Sequence, residues 1–182
     1  VMNDGRVIYM RWEYVDKGFG NVQSLWSMHP DGSYSDHLYK NSLRLPAGMV
    51  DARSIPGSTK VVTIGAPHCG PPVGPVILVD SDITRRGSEA MTSITPEIGY
   101  PDMFQTTRGN GLFKHPYPLS ETLFLVSHDP QVEDRQRHYS IYVLDAWGNR
   151  AELYRDPKLS SYQPVPLRPR RKPGVIPAVA AA

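Results

Sequence analysis

His68 and Cys69 are adjacent residues whose side chains could perform chemistry in this 182-residue chain. Imidazole nitrogen and thiolate sulfur are both good ligands for zinc and for haem iron. Pro67, Gly70 and Pro71 flank the pair and predict a rigid, exposed loop. Zinc generally takes four ligands, however, and the remaining histidines have no ligand spacing. These are His29, His37, His115, His128 and His138. The pair is therefore a candidate metal site, and the alternative is a loop histidine beside a buried thiol.

A second candidate site is the polar and aromatic run Arg11, Trp12, Glu13 and Tyr14. Side chains of these types could stack on a ligand or on a partner protein. Neighbours on a strand point to opposite faces, so the same four residues could instead divide between core and surface. The run is a predicted binding surface, with that alternative left open.

Three aspartates follow the second strand of three similar segments, at Asp31, Asp80 and Asp145. Calcium could bind such residues, but aspartate in hairpin turns more commonly accepts backbone hydrogen bonds. The sequence also contains no glycine-rich phosphate loop, serine nucleophile elbow or metalloprotease motif. These observations favour turn aspartates and give no catalytic signature.

The elements that position these residues belong to a hairpin unit that recurs three times, at residues 5–32, 60–80 and 122–149. In each unit a short apolar strand is followed by a second one that ends near an Asp or Gly turn. Recurrence at a period of about 50–65 residues is typical of propellers and solenoids. No window of about twelve residues has a helical apolar period, so we expect almost no helix.

We therefore predict an all-β fold, a partial β-propeller of about three four-stranded blades within a larger propeller. The propeller segment spans residues 1–167, with approximate blades at 1–48, 49–110 and 111–160. The segments before Ile55, Leu119 and Leu167 look alike and are predicted innermost strands, the last one belonging to a further blade. Residues 99–118, rich in Gly and Pro, are expected to be irregular.

Composition limits the classes of partner. The net charge of +2 comes from a tail at residues 168–182, predicted to be an extended Pro/Arg-rich linker. Its cations are Arg168, Arg170, Arg171 and Lys172. Without these four, 16 of the 20 Lys and Arg remain against 18 Asp and Glu, which does not suggest a nucleic-acid binder. No apolar run is long enough for a membrane span, and one cysteine excludes an intrachain disulfide. The first residues are typical of a turn inside a longer protein, so we expect a fragment.

Residues 4–16 and 23–32 resemble the repeats of TolB-like, WD40-like β-propeller proteins. More narrowly, they are similar to the middle domain of the hydrazine synthase alpha subunit and its relatives, as are residues 54–80 and 165–177. The resemblance implies a propeller between haem-bearing domains of an exported, periplasmic protein. This chain has no Cys-x-x-Cys-His motif, so any c-type haem would belong to other parts of the parent protein.

The expected function is a non-catalytic scaffold and interaction module of such a larger exported protein. Its partners would be the remaining propeller blades and neighbouring domains or subunits, contacted through loops at residues 13–23, 66–75 and 99–118. One alternative is an oxidoreductase in which the 66–75 loop lines a haem or metal site. Another is a propeller that binds peptide or glycan at its mouth, with Trp12 in the binding surface.

Overall fold

The computed structural model describes residues 1–13, 23–40, 42–104, 111–130 and 137–179. These ranges contain eleven strands and a single turn of 3₁₀-helix at Ser88–Ala90, so the all-β prediction is confirmed. The strands are β1 (Val7–Trp12), β2 (Gln23–Met28), β3 (Asp36–Tyr39), β4 (Gly48–Ser54), β5 (Val61–Ala66), β6 (Val76–Val79), β7 (Met91–Ser93), β8 (Leu112–Pro118), β9 (Leu123–Asp129), β10 (Ser140–Asp145) and β11 (Arg150–Tyr154). None of the helices in the described ranges has the length and apolar character needed to cross a bilayer.

The strands form three antiparallel sheets, each of which contains one of the recurring hairpins. The first has the order β1-β2-β3, the second β4-β5-β6-β7, and the third β8-β9-β10-β11. Within each sheet, strands that follow one another in the chain are also neighbours in space. This order needs no crossover connection, because consecutive antiparallel strands can be joined directly by a turn or loop.

The turns use the three aspartates singled out in the sequence. Asp31 accepts the backbone N–H of the residue two positions on at 2.9 Å, Asp80 does so at 3.2 Å, and Asp145 at 2.9 Å. Gly32 and Gly148 follow in the left-handed region, at φ of 85° and 90°. The turn interpretation is confirmed, since an aspartate carboxylate that bonds its own turn replaces a backbone acceptor.

The second sheet lies between the other two and shares a core with each. The core shared with the third sheet includes Val62, Ile64 and Phe124, all fully buried. The core shared with the first sheet includes Leu25 and Ile77. β5 is buried along its whole length, which explains why its sequence is mostly apolar rather than alternating, and its polar Thr63 donates to the Val50 carbonyl oxygen at 2.8 Å.

The prediction of an irregular stretch at residues 99–118 was wrong over Leu112–Pro118, which is β8. This strand contains Pro116 and Pro118, which cannot donate a ladder hydrogen bond. β8 is the first strand of its sheet and has one sheet neighbour, so it tolerates prolines that a central strand would not. Its register also shifts between Lys114 and Tyr117, where a bulge interrupts the pairing.

The described part of the tail runs back to the start of the chain without regular secondary structure. Gly174 donates its N–H to the Asn3 carbonyl oxygen at 3.1 Å, and Val179 donates to Asp31 Oδ2 at 2.8 Å. Gly5 approaches Gly174 so closely that a Cβ on Gly5 would clash with the Gly174 carbonyl oxygen. The tail thus contacts the first sheet and the turn before it.

Candidate functional site

The structure places His68 and Cys69 in the loop that follows β5. Their backbone N–H groups donate to the carbonyl oxygens of Asp102 and Met103, at 3.0 and 2.7 Å. Both side chains are half-buried, and Cys69 is a free thiol. The Trp12 ring meets the His68 ring edge to face, with ring centroids 5.5 Å apart. The fold therefore brings together residues from both sites that the sequence proposed separately.

The surroundings of His68 and Cys69 do not supply a ready set of metal ligands. Across the described ranges, no group of three His, Cys, Asp or Glu side chains is placed to hold a metal ion. A c-type haem needs two thioether cysteines, and the chain has a single cysteine, so its residues do not fit that group. Metal binding by His68 and Cys69 stays a prediction.

The end of β1 displays most of the predicted binding surface. The Arg11 guanidinium lies over the Trp26 ring, 4.4 Å from its centroid, and its Nε is 3.6 Å from Glu13 Oε1. Trp12 is 48% exposed. We call Arg11, Trp12, Glu13 and His68 the Trp12 edge. Tyr14 lies outside the described residues, and binding at this surface stays a prediction.

The three predicted contact loops are described to different extents. The loop at 66–75 is described throughout. The loop at 13–23 lies almost wholly outside the described residues, and residues 105–110 of the third loop also lie outside them.

Sequence reasoning missed a polar cluster on the first strands of the second and third sheets. β4 and β8 each contain a bulge, between Val50 and Arg53 and between Lys114 and Tyr117. The corresponding residues Asp51 and His115 both adopt left-handed backbone, at φ of 56° and 50°. Such conformations cost about 1–3 kcal/mol in a residue other than glycine and concentrate at functional sites.

A third residue repeats this backbone feature. Gln163 has φ of 52° and precedes Leu167 by the same number of positions as Asp51 precedes Ile55. His115 stands at that position before Leu119. The similarity of these three segments was visible in the sequence, but their left-handed residues were not. Aspartate and histidine both occupy this region more often than most residues other than glycine.

Asp51 and His115 connect the two strands through their polar groups. Asp51 Oδ2 accepts the His115 backbone N–H at 3.2 Å and lies 3.8 Å from His115 Nε2. The second separation is too long for a hydrogen bond. His115 Nδ1 is buried and has no hydrogen-bond partner among the described residues. A buried polar atom of this kind calls for a partner that is not part of the described chain.

Two cations lie near His115 and rest on aromatic rings. Lys114 Nζ is 5.1 Å from the ring centroid of Tyr162 and 5.7 Å from that of Tyr139. Arg53 Cζ is 5.3 Å from the ring centroid of Tyr117. Neither cation has a carboxylate within ion-pair distance in the part of the chain that the structure describes. Cation–π contacts hold them without neutralising their charge.

Burial lowers the pKa of His115 below its ordinary value. The Asp51 carboxylate opposes this shift, and the positive charges of Lys114 and Arg53 add to it. The imidazole is consequently neutral at pH 7. Asp51, Arg53, Lys114, His115 and Tyr162 form what we call the bulge cluster, which contains two cationic side chains and one carboxylate.

Comparison of the chain with protein-family models, with curated proteins and with solved structures gave no significant match to any of them.

Proposed function

We propose that this chain is a non-catalytic β-propeller scaffold and interaction module, in which the three sheets are blades of a larger propeller. The observation that carries the proposal is the equivalence of β4 and β8. The two strands lie against each other, contain a left-handed bulge at the same place, and each begin a four-stranded sheet of the same order. Repetition of one sheet around a shared inner edge is the organisation of a propeller.

The first sheet supports the same proposal because it has three described strands, whereas each of the other two sheets has four. Among the described strands, β1 has the single sheet neighbour β2, whereas β5 and β9 each pair on both sides. β1 is therefore an edge strand in the position that is central in the other sheets. An exposed edge invites a further strand, and in a propeller that strand would be an inner one equivalent to β4 and β8.

The Trp12 edge is the proposed contact surface of the module. Partly exposed Trp and Arg side chains are enriched where protein interfaces concentrate their binding energy. Trp12 stands on this edge beside Arg11, and both are exposed. The same surface would serve a peptide or glycan, which is the second candidate that the exposure of Trp12 favours.

Electron cryo-microscopy of the natural protein tests the architecture. The proposal predicts a closed ring in which the three sheets are consecutive radial blades and a further strand pairs with β1. A stack of three sheets with no ring would overturn it.

Paired tryptophan variants test the interaction role. Trp12→Ala should lower the fraction of the protein found in its natural assembly, measured by light scattering. Trp147→Ala is the matched control, because Trp147 is 76% exposed in the turn after β10. Equal assembly in the two variants would contradict a contact role for the Trp12 edge.

The oxidoreductase alternative depends on the loop at 66–75. His68→Ala and Cys69→Ala separate it from the scaffold: loss of a metal-linked or haem-linked activity in a folded variant supports the enzyme, and unchanged behaviour supports the scaffold.

A further inference from the structure

We propose that the bulge cluster is a binding site for a small hydroxycarboxylate, such as a sugar acid. The proposal does not depend on the propeller, because it rests on contacts within the described residues. Its first support is two cationic side chains that have no described carboxylate as an ion-pair partner. Lys114 and Arg53 lie against tyrosine rings, and no described carboxylate forms an ion pair with either. Half-buried cations held in this way are available to an anion.

The sign and size of the local charge select the ligand. Arg53 and Lys114 contribute two positive charges, Asp51 contributes one negative charge, and His115 is neutral. The excess of one positive charge disfavours a metal cation, although Asp51 and His115 are both metal-ligating types. It matches a monoanionic carboxylate better than a phosphate, which carries about 1.5–2 negative charges at pH 7.

The hydroxyl part of the ligand follows from His115. An imidazole nitrogen either donates or accepts a hydrogen bond, depending on the tautomer, and a hydroxyl group can pair with it in both cases. His115 Nδ1 is buried and lacks a described hydrogen-bond partner, so a hydroxyl group of the ligand would satisfy it. A carboxylate beside a hydroxyl is the chemistry of a hydroxycarboxylate.

The aromatic residues complete the site. Tyr162 packs edge to face with His115, at 5.7 Å between ring centroids, and is 48% exposed. Its partly open ring can cover the apolar side of a ligand, as aromatic residues do in small-molecule sites. The left-handed bulges at Asp51 and His115 supply the strain that binding sites commonly hold.

Nuclear magnetic resonance of the full 182-residue chain tests the proposal, with lactate, gluconate and glucuronate as probes. We expect at least one probe to bind with a dissociation constant of about 1 mM or tighter and to shift the ring nitrogen signals of His115. Glucose and inorganic phosphate should bind at least about tenfold more weakly than that probe. If none of the three acids shifts the His115 signals, or if glucose binds as tightly, the proposal is wrong.

Charge variants locate the site. Lys114→Met keeps the aliphatic stem on the tyrosine rings and should weaken binding about tenfold, since a hydrogen bond to a charged group is lost. Lys158→Met is the control, because it removes the same charge from an exposed position. Asp51→Asn removes the opposing charge, keeps an acceptor for the His115 N–H, and should tighten binding. Equal affinity in Lys114→Met and Lys158→Met, with both variants folded, would overturn the assignment.

Discussion

β5 and β1 are each the first strand of a recurring hairpin, but their environments differ. β5 pairs with β4 on one side and β6 on the other, and all six of its residues are buried. β1 pairs with β2, and the second half of the strand is exposed. The two strands begin alike, with Val61-Val62 in one and Val7-Ile8 in the other. The first residues of the two strands are thus similar, but those of β5 are buried and those of β1 are half-buried.

The difference in burial indicates what a second neighbouring strand contributes to a strand's environment. A strand with sheet on both sides and cores on both faces can be mostly apolar without alternation, as in β5. β1 ends in Arg11 and Trp12, which are both exposed, and an arginine is almost never fully buried unless it is paired. If a further strand pairs with β1 in the natural protein, as we propose, its first half becomes interior while the Trp12 edge stays available for contact.

The largest expected difference between the two strands is in the stability lost when one isoleucine in each is truncated to alanine. Ile64 in β5 is fully buried, so Ile64→Ala should lower the free energy of unfolding by about 3–4 kcal/mol through lost burial and a residual cavity. Ile8 in β1 is half-buried, and Ile8→Ala should cost about 1–2 kcal/mol. Urea denaturation measures both values. Equal losses would mean that β1 is already as enclosed as β5.

Acid should destabilise the third sheet through His128 of β9. Burial lowers the pKa of His128 from 6.5 to about 4, and its ring stacks on Phe113 at 4.1 Å between centroids. Since the folded state favours the neutral ring, the protein has its full stability above pH 6.5. The stability decreases as the pH falls below 6.5, and the loss is complete once the pH has fallen through about 4. The loss approaches about 3 kcal/mol.

Denaturation at a series of pH values checks this effect. His128→Gln should abolish most of the loss between pH 6.5 and 4, whereas the control His29→Gln, at the turn after β2, should retain it. A His128→Gln protein with the wild-type pH dependence would contradict the assignment.

A smaller effect is expected at Gly65, the residue of β5 that faces Met49 of β4. A Cβ at Gly65 would lie 2.8 Å from Ile77 Cδ1 and 3.2 Å from Pro46 Cβ. Gly65→Ala should therefore cost about 1–3 kcal/mol through overpacking. β1 has Arg11 at the corresponding place. A neutral or stabilising Gly65→Ala would show that β5 is less tightly enclosed than its contacts indicate.

The smallest effect should come from Arg11→Ala. Arg11 is exposed and makes a cation–π contact with Trp26 and a long ion pair with Glu13. Such contacts at a surface contribute about 0.5–1 kcal/mol. Thermal unfolding should detect a change of that size. A loss comparable with that of Ile64→Ala would mean that the Trp12 edge is part of a core.

The sequence predicted the strands better than the site. Apolar runs such as Val61–Ile64, bounded by Pro and Gly turns, predicted the hairpins, because strand periodicity and turn chemistry are local properties. β8 was missed in part because its prolines indicate loop unless the strand is known to lie at a sheet edge. That position is a property of the whole sheet.

The bulge cluster could not be predicted for a related reason. Asp51 and His115 lie far apart in the chain, and they meet because β4 and β8 pack side by side. Nothing in the sequence distinguishes a histidine or glutamine that has left-handed backbone from one that does not. His68 and Trp12 were each proposed from residue type, but their contact depends on how the first two sheets pack.

Hydrogen exchange of the β1 amides in the natural protein tests whether a further strand pairs with β1. In an antiparallel edge strand, alternate N–H groups point away from the only neighbour and exchange with solvent. If an inner strand completes the first sheet, as the propeller proposal requires, the amides of Val7–Trp12 should all be protected to the degree seen in Val61–Ala66. Protection of alternate β1 amides alone would contradict the account.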